Sequence, residues 1–112
     1  MSTLSKREKR IAREIIEKGL QVEYAKALND AYTVLQNWKN KETDNRDAYH
    51  LLFKTVRDND KHIARRYDGM RGSDYIDIIA AQLIDGIISE DDLKEFREET
   101  QIEITELCRI FK

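Results

Sequence analysis

Proline is missing altogether from this chain, and glycine occurs only four times among its 112 residues. At the average usage of ~5%, about five or six prolines were due. Each would have removed a backbone N–H donor and broken a helix interior. Cysteine is almost absent too, and a lone Cys108 cannot close an intramolecular disulfide. No apolar N-terminal run of the signal-peptide kind is present, so the expected location is a reducing cytoplasm. Apolar runs stop at three or four residues, far short of the ~20 that span a bilayer, which excludes a membrane segment.

What the chain does contain is helical periodicity. Apolar residues make up 40% and charged residues 38%, and Leu, Ile, Val and Phe recur at core spacing, which separates the chain from a disordered polyelectrolyte. From Leu4 to Lys41 the stripe Leu4, Ile11, Ile15, Val22, Ala25, Leu28, Tyr32, Leu35 and Trp38 marks one face of a long first helix. Gly19 interrupts it, but Leu20, Gln21 and Val22 offer no cap for a restart. One continuous helix with a soft spot is expected.

Thr43 or Asp44 can cap a second helix, whose stripe is Tyr49, Leu52, Phe53, Val56, Ile63 and Tyr67 and which ends at Asp68 and Gly69. Ser73 is placed to cap a short third helix through Tyr75, Ile76, Ile79, Ala80, Leu83 and Ile84. Apolar residues surround this helix most fully, so it should be the most buried. Gly86 then stops it. Ser89 with Asp92 forms a capping box, and Ile88 with Leu93 a hydrophobic staple. A fourth helix is expected from there to the C-terminus through Leu93, Phe96, Thr100, Ile104, Leu107 and Phe111. Short connections make consecutive helices antiparallel neighbours. The expected fold is therefore all-α, an antiparallel up-down four-helix bundle in one domain over residues 1–112, with Phe53, Leu83 and Leu107 in its core.

Chemistry is harder to find. Aligning Gly86 with the glycine of a calcium-binding EF-hand loop puts Ala81 and Leu83 at positions that need ligand oxygens. A DNA-reading helix four would present Glu90, Asp91, Asp92, Glu95, Glu98 and Glu99 to phosphates of the same sign. His50 and His62 stand twelve residues apart on one helix, about 18 Å at ~1.5 Å per residue, and cannot chelate one ion. Asp47 with His50 is one acid-x-x-His pair where a di-iron bundle needs two. Cys108 has no histidine on its helix, and the four glycines are too scattered for a phosphate loop. No cofactor, metal or catalytic residue is expected.

Two features point elsewhere. Lys6, Arg7, Lys9, Arg10 and Arg13 crowd the start of helix one, where cations oppose the helix dipole. In an up-down bundle they would share a pole with Arg57, Lys61, Arg65, Arg66, Arg71, Arg109 and Lys112, giving twelve basic against eight acidic side chains there. Helix one, at roughly 55 Å against about 35 Å for helices two and four, should also overhang and leave Leu4, Ile11 and Ile16 without an intramolecular partner. Exposed apolar stripes of that kind mark interaction surfaces. The reading is a non-catalytic interaction protein that self-associates, as an antiparallel dimer, or docks a protein partner through Leu4, Arg7, Arg10, Ile11, Arg13 and Ile16. The alternative is a nucleic-acid-associated accessory protein using the basic pole.

Overall fold

The computed structural model describes residues 4–111, so Lys112 of the expected basic pole lies outside the described residues. Within them the fold is all-helical, with four α-helices and no strand: α1 (Lys6–Lys39), α2 (Asn45–Tyr67), α3 (Tyr75–Ile84) and α4 (Glu98–Phe111). Two 3₁₀ turns, Gly72–Asp74 and Glu90–Leu93, precede α3 and α4. The chain divides into two compact units, residues 22–68 in one and residues up to 21 with 69 onward in the other. α1 runs unbroken through both sequence ranges.

Gly19 is helical, as expected, but its purpose is tertiary. Gln82, fully buried on α3, donates its Nε2 to the Ile16 carbonyl at 3.1 Å. A Cβ on residue 19 would lie 2.2 Å from that nitrogen. Only glycine leaves room for the amide to reach the helix backbone.

The third helix is short and buried, through Ile76, Ile78, Ile79, Ala80 and Gln82. Ser73 does not cap it. Instead the Asp74 carboxylate accepts the Arg71 N–H at 2.9 Å, which winds residues 72–74 into a 3₁₀ turn first. Gly86, at φ +72°, ends α3 in a Schellman arrangement: its N–H donates to the Leu83 carbonyl, and that of Ile87 to the Gln82 carbonyl.

Helix four departs most from expectation. The Ser89 and Asp92 box forms, with Ser89 N–H donating to Asp92 Oδ2 at 2.9 Å, but it caps only the turn Glu90–Leu93. The α-helix starts at Glu98 because another helix supplies its cap. Glu8 of α1, 1% exposed, accepts the Arg97 backbone N–H at 3.1 Å, the Arg97 Nε at 3.0 Å and the Thr100 hydroxyl at 2.8 Å. A carboxylate taking an orphan N–H at a helix start both satisfies it and favours the dipole. Leu93 and Phe96, on the irregular stretch before α4, are thereby buried.

Burial also corrects the expected core. Ile104, Ile79, Leu93 and Ile16 are fully buried, Leu83 and Leu107 only half so, and Phe53 is 61% exposed. Phe53 belongs to a helix pair too thin to enclose it.

Burial alone would raise the Glu8 pKa, but hydrogen bonds from Thr100 and Arg97 and the guanidinium charge outweigh it and hold the carboxyl below its ordinary 4.5. A depressed folded-state pKa gives stability that is complete above the unfolded value and is lost as pH falls through the folded one. Urea midpoints should therefore drop below about pH 4.5. Glu8→Gln should be less stable than wild type at pH 7 and show a shallower acid loss. Equal acid slopes for the two proteins would remove Glu8 from this role.

Gly19→Ala sets a helix-propensity gain of up to ~1 kcal/mol against about 1–3 kcal/mol of overpacking on a buried amide that cannot move without breaking its bond. Its urea midpoint should fall. In a Gln82→Ala background the same substitution should raise it, a reversal that a double-mutant cycle reads directly.

Candidate interaction surface

Three residues expected to be uncovered on α1, Leu4, Ile11 and Ile16, are buried within the chain, at 7, 3 and 1% exposure. The expected overhang is corrected. The segment from residue 69 onward folds back on the first 21 residues, as the bonds from Gln82 to Ile16, Arg97 to Glu8 and Lys18 to Asp92 record. Arg7, Arg10 and Arg13 are exposed, and Arg7 donates to the Glu95 carbonyl at 3.2 Å. Arginines and isoleucines of this turn thus lie on opposite faces and form no joint surface.

The apolar surface lies further along. Residues 22–68 form a helical hairpin, the second part of α1 joined to α2 by a turn at residues 40–44. Asp44 caps α2 by accepting the Asp47 N–H at 2.8 Å. Lys41 sits at φ 62°, and the bonds Lys41 N–H to Trp38 carbonyl and Glu42 N–H to Asn37 carbonyl close α1 in a Schellman turn. Contacts between the helices pair Trp38 with Asn45, Asp30 with Asn59 and Glu23 with Arg66, so the chain directions are antiparallel.

That seam is largely polar. Near the turn the Trp38 indole N–H donates to Asn45 Oδ1 at 2.7 Å. At the other end Glu23, almost fully buried, is bonded by His62 Nε2 at 2.7 Å, Arg66 Nη1 at 3.2 Å and the Tyr67 hydroxyl. Three donors satisfy one buried carboxylate, and removal of such a charge centre is expensive. The apolar residues buried in this unit are Val34, Ala48 and Tyr67.

Large apolar side chains consequently stay outside. Leu28, Tyr32 and Leu35 on α1 recur at four and three residues, and Tyr49, Phe53 and Val56 on α2 repeat the same spacing; all six are exposed, from 43 to 72%. Between the helices a groove of about 240 Å³ is lined by Leu35, Trp38, Asn45, Ala48, Tyr49 and Leu52. Because Leu35 and Tyr49 both line it, the two stripes share a face. The sequence reading held every one of these residues but assigned the stripe to a closed core. Charge could have separated the two cases: residues 31–38 and 48–53 contain no Asp, Glu, Lys or Arg, in a chain in which these make up 38%. Depletion of charge with enrichment of aromatics is the signature of an interface centre.

Around this face, no group of acidic, histidine and cysteine side chains that could hold a metal exists among the described residues, nor a helix long and apolar enough to cross a membrane. Compared with models of protein families, with curated proteins and with solved structures, the chain matches none.

Tyr67→Phe removes the hydroxyl that donates to Glu23. It should cost about 1–2 kcal/mol and speed amide hydrogen exchange selectively within residues 22–68. Exchange that rises equally in α3 and α4 would show that the Glu23 cluster does not belong to the hairpin's own stability.

Proposed function

We propose that this is a non-catalytic protein-interaction module whose working surface is the apolar face of the hairpin 22–68, and that self-association is its first use. One observation carries the reading: six large apolar side chains stand exposed in two matched stripes, Leu28, Tyr32, Leu35 and Tyr49, Phe53, Val56, around one groove. Scattered exposed leucines are ordinary, but a contiguous apolar face on a small protein is a binding site or a liability. The mode that fits is helix packing into a groove, with anchors at i, i+4 and i+7.

A nucleic-acid role through the basic start of α1 draws less support. Arg7 leans on the segment that carries Glu90, Asp91, Asp92, Glu95, Glu98 and Glu99, whose charge repels a polyanion. Elsewhere in the expected basic pole Arg66 is committed to Glu23, and Arg57 lies 3.7 Å from Asp58. Arg57 lies over the Phe53 ring at 5.6 Å, but no aromatic residue interleaves with Arg7, Arg10 and Arg13 to stack on bases.

A photo-crosslinking side chain placed at Phe53 of the full chain, in an extract of the producing cells, should give discrete adducts, either with the chain itself or with another protein. The same probe at Asp77, an exposed residue of α3, should give none. Leu28→Asp on the Phe53 probe should abolish the adducts. Identical patterns from both positions would defeat the proposal.

A further inference from the structure

The occupant of this face is a second copy of the same chain: we propose a twofold dimer in which two hairpins 22–68 close face to face into an intermolecular four-helix bundle, an inference that rests on the functional reading above.

Area is the first argument. A covered aromatic buries about 150–250 Å², so Tyr32, Tyr49 and Phe53, at 59, 71 and 61% exposure, leave roughly 400 Å² to be covered. By the same proportion Leu28, Leu35 and Val56 add roughly 250 Å², which brings each copy to about 650 Å² of apolar side chain against ~800 Å² per partner in a standard interface. The polar rim around the stripes supplies the difference.

Shape is the second. A contact between identical faces requires each to be its own complement, with a protruding part and a receiving part. This face has both: Phe53 and Tyr49 protrude, and the groove beside Leu35, Trp38 and Leu52 receives. A two-helix hairpin with Val34 and Ala48 as its buried aliphatics lacks a centre, and two further helices carrying the same stripes complete one.

Charge is the third. Residues 22–68 hold nine basic and eight acidic side chains, a net of +1, so two copies approach without appreciable repulsion. A partner selected by opposite charge would require a surface of one sign, and the stripes have none.

Sedimentation equilibrium on the purified full chain, from 1 to about 200 μM, should give twice the 13.3 kDa chain mass at the upper concentrations. Phe53→Asp and Leu28→Asp alter exposed positions, so helix content by circular dichroism should be retained while the dimer dissociation constant rises at least a hundredfold, the scale of a lost interface hot spot. Ser73→Asp, at an exposed position outside the hairpin, adds the same single negative charge as Leu28→Asp and separates face from bulk charge: it should dimerise like wild type. A single 13.3 kDa species throughout the range, or a dimer indifferent to both face variants, would overturn the second-copy assignment. If the chain is monomeric and Phe53 still yields adducts with another protein, the occupant is foreign and the functional reading stands. If Phe53 yields no adduct at all, both fail.

Discussion

A single buried carboxylate decides how half of this chain is laid out. Glu8 lies in the first turn of α1, and its oxygens take a backbone N–H, a guanidinium and a hydroxyl from residues 97–100. Leaving the buried Glu8 carboxylate or the Thr100 hydroxyl unmet would cost on the order of 1–3 kcal/mol each, so α4 begins where Glu8 can cap it and not where the local capping box would start it. The irregular stretch that results turns Leu93 and Phe96 inward, where they are buried together with Leu4, Ile11 and Ile16. An electrostatic constraint thereby sets which hydrophobic surface is covered.

The helices themselves were plain in the sequence, because local rules govern them. Asp44 caps α2, Gly86 stops α3, and the stripe from Ile11 to Trp38 belongs to one helix. Local rules also explain the failures. Ser89 and Asp92 make the expected bonds, yet a capping box specifies only that a helical turn starts, and whether an α-helix or a 3₁₀ turn follows depended on a partner 89 residues away. Ser73 does not cap α3 because it lies inside the 3₁₀ turn Gly72–Asp74, which Asp74 closes by accepting the Arg71 N–H. Glycine at position 19 looked like a weakness in α1, and it is an accommodation for Gln82.

The interaction surface was half legible. Its residues were all visible as periodic apolar positions, but periodicity records that a face seeks cover, not what covers it. Phe53 and Ile104 have the same pattern on paper, and one is 61% exposed while the other is fully buried. The difference follows from how many helices surround each, a property of tertiary layout. The charge-free runs on either side of the turn were the better signal, since a residue that only has to face a neighbouring helix tolerates charged flanks and a residue at the middle of an interface does not. The Glu23 cluster was out of reach altogether, because glutamate at a helix position reads as solvated until His62, Arg66 and Tyr67 are brought to it.

The continuity of α1 has a consequence for how the protein comes apart. A helix that passes from one compact unit into the other without a break has no terminus at the boundary, so every N–H and C=O there is satisfied by the ladder itself. Melting either unit alone would create a new helix end, with up to four orphaned groups and no cap to receive them. Residues 19–22 include a glycine and no capping side chain, so that end would be a poor one. The shared helix therefore adds the cost of a new, uncapped helix end to any opening of one unit that leaves the other folded.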